Sequence, residues 1–213
     1  MNKIIVALDV RDKDAALRLV TITSPWVGMF KVGPILFLKY GPDIVREIRA
    51  AGKEVFLDLK FHDIPATVRR SVQSAQELGV YSLTIHASGG EDMIRAATQV
   101  SPRPKIWAVT VLTSQAASPA QVLERAQLAK MCGADGVIAS PLEIDIIKKT
   151  CGKDFAVVTP GIRIEDRNDD QKRTATPGAA VRAGADFIVV GRPIIEAPDP
   201  ARAAQSIFDD IGF

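Results

Sequence analysis

The chain has little from which to build a metal centre or a disulfide scaffold. Its 213 residues include two histidines, His62 and His86, and two cysteines, Cys132 and Cys151. Two histidines cannot make a His-based metal cluster, and the cysteines lack the close spacing of metal-binding pairs. Each cysteine precedes a glycine near the end of a predicted helix and reads as a buried free thiol. Charge of one sign is also missing: 27 basic side chains stand against 25 acidic ones, a formal net charge of +2. That balance, without a basic stripe carrying interleaved aromatics, argues against nucleic acid or a membrane surface as a partner. The first apolar run is cut short by Asp9, too soon for a signal peptide or a spanning helix, so cytoplasm is the expected compartment. No strand-to-helix elbow motif supports a Ser-His-Asp triad. Trp26 and Trp107 read as packing groups.

What the chain does have is one pattern repeated along its length. Short apolar, β-branched runs predict strands at Ile4–Val10, Met29–Gly33, Glu54–Lys60, Ser82–Ala87, Lys105–Leu112, Gly136–Ser140, Phe155–Thr159 and Phe187–Arg192. Amphipathic helical patterns lie between them. Ser118-Pro119, Thr176-Pro177 and Asp199-Pro200 pair an N-cap with a proline at the first helical position. Gly52, Gly79, Gly133, Gly152 and Gly184 mark helix ends. Eight β-then-α units with no linker predict a single α/β domain, a (β/α)₈ TIM barrel over residues 1–213. A doubly wound open sheet is the alternative.

The most informative stretch is Asp58-Leu59-Lys60-Phe61-His62-Asp63-Ile64-Pro65. Side chains two apart on a strand share a face, so Asp58 and Lys60 point together above Phe56, while Leu57, Leu59 and Phe61 point away. Ionised groups are costly to bury unless paired, and such charges cluster at functional sites; a structural ion pair at a sheet edge is the other reading. Asp9, Lys31, Asp58, Lys60, His86, Thr113, Thr159 and Arg192 all fall at or just past predicted strand C-termini, the rim where this fold places chemistry.

Gly191-Arg192 after the eighth strand, with Thr159-Pro160-Gly161-Ile162-Arg163 after the seventh, suits a phosphate: backbone N–H groups can approach it and Arg192 offers a donor fork. The stretch from Arg163 to Arg173 is too polar for a core, so it reads as either a solvated excursion or a cover. Its place beside a phosphate site favours a lid over about 163–175. His62 reads as a rim or interface residue, and His86 as a brace that acts by hydrogen bonding and not by proton transfer.

Together these segments resemble the orotidine 5'-phosphate decarboxylase family. The resemblance is carried by Ala7-Leu8-Asp9, Phe30-Lys31-Val32-Gly33, Asp58 to Thr67, Ile85-His86-Ala87-Ser88-Gly89-Gly90, Val111-Leu112-Thr113-Ser114, Thr159 to Arg163 and Val190-Gly191-Arg192-Pro193, and spans essentially the whole chain. It implies conversion of orotidine 5'-phosphate to UMP and carbon dioxide with no metal and no cofactor. It also implies a charge network of Lys31, Asp58, Lys60 and Asp63 as catalytic residues. Asp9 and Lys31 would hold the ribose hydroxyls, Thr113 the pyrimidine, and Gly191 and Arg192 the phosphate. Arg163 would touch ligand, and Gln171 would bridge base and phosphate from the lid. Asp63 and Thr67 would reach the neighbouring subunit's site, which makes the expected assembly a homodimer.

The chemistry asks for these residue types independently. Loss of carbon dioxide leaves an in-plane carbanion that the ring carbonyls cannot delocalise. Accelerations of about 10¹⁷-fold, the upper part of the usual enzyme range, correspond to about 23 kcal/mol of barrier. A cationic Lys60 beside C6 can stabilise the developing charge and then donate the proton. Neighbouring carboxylates favour the charged amine, which suits an acid and not a Schiff-base nucleophile. Asp58 near the substrate carboxylate adds repulsion that is relieved as carbon dioxide leaves. Three rivals share the barrel: a magnesium-dependent sugar-phosphate decarboxylase or hexulose-phosphate synthase, a Schiff-base aldolase, and a non-catalytic nucleotide-binding barrel. The first of these groups places a metal-binding glutamate where Lys31 stands.

Overall fold

Runs that are apolar on both faces need cover on both faces, and in the structure, a computed structural model describing residues 2–163 and 175–212, they find it. The strands are β1 (Ile4–Ala7), β2 (Met29–Val32), β3 (Glu54–Phe61) and β4 (Ser82–His86). They continue as β5 (Lys105–Val109), β6 (Gly136–Ile138), β7 (Ala156–Thr159) and β8 (Phe187–Val190). All pairs are parallel and sequential, and β8 returns to β1, so the sheet closes. Closure settles the alternative of an open sheet: this is a single (β/α)₈ barrel. Most strands end short of the predicted boundary because the chain leaves the ladder early to form the upper loops. β7 ends at its predicted boundary, Thr159, and β3 runs one residue longer, to Phe61.

Strand alternation divides the core in two. Inside the barrel Ile5, Met29, Phe56, Trp107, Val109, Ile138, Val158 and Val189 pack together, with the Phe56 and Trp107 rings edge-to-face at 4.8 Å. Outside it, Ile4, Val6, Phe30, Val32, Val55 and Leu57 meet the apolar stripes of the surrounding helices. Trp107 therefore packs inside the barrel, and Trp26 packs partly buried against the outer core. Cys132 and Cys151 are buried free thiols. Among the described residues no helix is long and apolar enough to cross a membrane.

Helix ends follow the local chemistry. Ser118, Thr176 and Asp199 accept hydrogen bonds from the backbone N–H groups of Gln121, Ala179 and Arg202 at the starts of Pro119–Met131, Pro177–Arg182 and Pro200–Ile211. The five predicted stop glycines all have positive φ. Gly136 is needed for a different reason, since a Cβ there would lie 2.4 Å from the Ala156 carbonyl oxygen on the neighbouring strand. Gly136→Ala should therefore lower stability by about 1–3 kcal/mol, read as a shift in the urea midpoint at unchanged slope.

Candidate active site

β1, β2 and β3 bring their polar residues to one end of the barrel, and the ladder registers align them: Ala7 pairs with Lys31, and Lys31 with Phe56. Ala7, Phe56, Val109, Ile138 and Val189 floor a cavity of about 480 Å³. Above this floor stand Asp9, Lys31, Asp58 and Lys60, with Thr113, Arg163, Gly191 and Arg192 completing the wall. Eight of the residues expected at the site thus meet in one cavity (Asp9, Lys31, Asp58, Lys60, Thr113, Arg163, Gly191 and Arg192).

The charges alternate along a continuous chain. Lys31 Nζ lies 2.9 Å from Asp9 Oδ1 and 3.5 Å from Asp58 Oδ2. The same Asp58 oxygen lies 2.8 Å from Lys60 Nζ. Asp58 Oδ1 accepts from the Thr84 hydroxyl at 2.9 Å, so both carboxylate oxygens are engaged. Burial opposes the charge on Asp58, but Lys31 and Lys60, with the Thr84 hydrogen bond, outweigh it and hold the carboxyl below its ordinary value. Lys31 is likewise opposed by burial and carried upward by Asp58 and Asp9. The Lys60 side chain is 35% exposed against 10% for Asp58, so of these two charges the lysine is the one open to the cavity.

The strand is not regular where it carries these groups. Lys60 has φ 52°, and it is the sole non-glycine residue with positive φ among the described residues. A side chain held there costs about 1–2 kcal/mol, a strain often found at functional positions. Beside it, the His62 and His86 rings stack at 5.4 Å with 28° between planes; among the described residues this ring contact stands in place of the hydrogen bonding expected of His86. Burial, with His62, Lys60 and Arg125 adding to it, lowers the His86 pKa against the pull of Asp58.

Other expected residues stand elsewhere. Asp63 is exposed and its Oδ1 accepts from the Ile64 N–H. Thr67 lines a separate groove with Phe37, Leu57, Leu59 and Phe61. Neither residue faces the cavity of its own chain. Gln171 lies outside the described residues. Thr159 ends β7 but is buried away from the cavity, because its neighbour Val158 takes the inward position; its hydroxyl has no hydrogen-bond partner among the described residues. Thr84 went unread in the sequence, although strand parity places it on the same face as His86, two residues on.

The signs of the two shifts define a pH window. A depressed Asp58 stabilises the fold at neutral pH, and that contribution disappears as pH falls through its folded value, below 3.8. A raised Lys31 contributes below its ordinary value, and the contribution is lost as pH climbs beyond 10.5. Thermal midpoints should therefore be flat around neutrality and fall on both sides. Carbon-13 titration of the Asp58 carboxyl checks the acid limb, and a midpoint at or above 3.8 contradicts it.

Residues 2–207 match the model of the "Orotidine 5'-phosphate decarboxylase / HUMPS family". An orotidine 5'-phosphate decarboxylase of Geobacter sp. (strain M21) is 46% identical, with 99% of this chain and 96% of that protein covered. One from Haemophilus influenzae (strain 86-028NP) is 45% identical, with 99% of each covered. The crystal structure of orotidine 5'-phosphate decarboxylase from Lactobacillus acidophilus superposes with a TM-score of 0.87 at 36% identity, all of both chains included. Similarity of this extent, in sequence and in fold, means that the chain belongs to the orotidine 5'-phosphate decarboxylase / HUMPS family.

Proposed function

We propose that the chain converts orotidine 5'-phosphate to UMP and carbon dioxide, without metal or organic cofactor, and that Lys60 protonates C6. The observation that carries this reading is the Asp9–Lys31–Asp58–Lys60 chain, which ends in an ammonium presented to the cavity. In the reaction the bond from C6 to the carboxylate breaks heterolytically. Carbon dioxide departs, and the electron pair stays in the ring plane on C6. Lys60 stabilises that charge and transfers a proton from Nζ to C6, and the amine then regains a proton from water. Asp58 both anchors Lys60 and sets negative charge near the departing carboxylate.

The remaining assignments follow the cavity wall. Asp9 and Lys31 hold the ribose hydroxyls, Thr113 the pyrimidine, and Gly191 and Arg192 the phosphate, with Arg163 beside them. The segment 164–174, with Gln171, acts as the lid. Its flanks are tied together, since Ile162 bridges Ala175 and the Arg163 N–H donates to the Ala175 carbonyl at 3.0 Å. Phosphate binding can thereby be used to close the site over the reacting carbon.

Lys31 supports a reaction without a divalent cation. An ammonium 3.5 Å from Asp58 neutralises the carboxylate that a metal would need and repels a second cation. Among the described residues no three His, Cys, Asp or Glu side chains are grouped to hold a metal ion. An ultraviolet assay on orotidine 5'-phosphate after exhaustive EDTA treatment should show undiminished turnover. Lys60→Ala should lose at least about 10³-fold in kcat. Turnover of orotidine 5'-phosphate that returns only with magnesium would overturn the metal-free reading.

Asp63 and Thr67 serve the neighbouring subunit of a homodimer. Supporting this, Ile64 beside Asp63 is 66% exposed, and Thr67 borders an apolar groove of Phe37, Leu57, Leu59 and Phe61. In a two-fold dimer with shared sites, mixing inactive Lys60→Ala and Asp63→Ala subunits leaves one hybrid site intact, so about a quarter of wild-type activity should return after random exchange. No recovery, with exchange demonstrated, rules out sharing.

A further inference from the structure

The ladder between β3 and β4 breaks where the charges sit. Leu57 pairs with Leu83 and Phe61 with Ile85, so Asp58, Leu59 and Lys60 stand opposite Thr84 alone. A bulge of this kind leaves backbone groups without strand partners and re-aims the side chains it carries. Here it coincides with the positive φ of Lys60.

Thr84 occupies the gap. It is fully buried, its Oγ1 accepts from the Lys60 N–H at 2.9 Å, and the same hydroxyl donates to Asp58 Oδ1 at 2.9 Å. We propose that Thr84 is a positioning residue for decarboxylation, its single hydroxyl clamping the bulge that aims Lys60 and orienting the carboxylate that anchors it. The proposal rests on the roles given above to Lys60 and Asp58. Thr84 does not line the cavity and acts only through those two residues.

The hydroxyl is suited to this work because its two functions fix each other. With the proton committed to Asp58, a lone pair is left for the Lys60 amide, and the rotor has no other satisfying orientation. Valine has the same shape and strand preference but neither donor nor acceptor. It would leave a buried N–H unpaired, and Asp58 held only through the oxygen it shares between two ammoniums.

Thr84→Val and Thr84→Ser separate clamping from packing. A hydrogen bond to a charged group supports an expected loss of about 10–100-fold in kcat for the valine protein. KM and UMP affinity should stay within about threefold, because the phosphate and ribose contacts are untouched. The serine protein should recover kcat to within about threefold, since it keeps the hydroxyl. The acid limb of kcat should move to higher pH in Thr84→Val as Asp58 loses a partner, a change that packing alone does not produce. An unchanged kcat, an equal loss of UMP affinity, or a serine variant as impaired as the valine one overturns the proposal.

Hydrogen exchange at the Lys60 amide tests the clamp in the wild-type protein, whether or not the valine variant folds. Slow exchange is expected, and exchange at the rate of an open loop overturns it. If the wild-type protein releases no carbon dioxide from orotidine 5'-phosphate, the proposed activity fails. The clamp is then judged on the Lys60 amide and the Asp58 titration in Thr84→Ser and Thr84→Val.

Discussion

One carboxylate oxygen governs the upper end of this barrel. Asp58 Oδ2 lies between the ammonium groups of Lys31 and Lys60, and each ion is tolerable out of water because the next compensates it. Without Asp58, two cations would face each other in a poorly hydrated cavity. Without the lysines, a carboxylate would be buried unpaired. Mutual dependence makes the arrangement rigid, and rigidity is what charge stabilisation at a reacting carbon requires: groups already oriented need no reorganisation when the charge forms.

The fold makes that cluster possible by separating its two tasks. Below the cavity the barrel is filled by Phe56, Trp107, Met29 and their neighbours, with the buried Ser82 hydroxyl directed at the Met29 sulfur. Above it the strands end, and the inward positions pass to Asp9, Lys31, Asp58 and Lys60. Stability lies with the lower layer and the helix-facing core, which leaves the upper layer free to hold like charges and a strained lysine. The β3–β4 bulge belongs to this division. It interrupts the sheet where interruption costs least, at the rim, and turns Lys60 toward the opening.

Asp63 and Thr67 follow directly from the site strand yet are exposed, Asp63 next in sequence to the exposed Ile64 and Thr67 at the groove of Phe37, Leu57, Leu59 and Phe61. A surface that is both apolar and continuous with the site ties assembly to function in the proposed reading, since burying it would bring another chain's residues to the pocket.

Much of this was legible in the amino-acid order alone. Eight apolar runs, proline-led helices and glycine stops determined eight β-then-α units, because strand and helix periodicities and caps are local properties. The pairing of Asp58 with Lys60 followed from strand alternation, and the rim position of Asp9, Lys31 and Arg192 from counting strands. Three things came only with the tertiary structure. Closure itself depends on β8 meeting β1, a contact between the ends of the chain. The bulge depends on β4 offering one residue where β3 offers three, and no property of β3 alone announces it. Thr84 became a site residue, and Thr159 ceased to be one, because register and facing decide which hydroxyl meets the charges. Those are relations between strands, and a linear pattern records only what each strand is by itself.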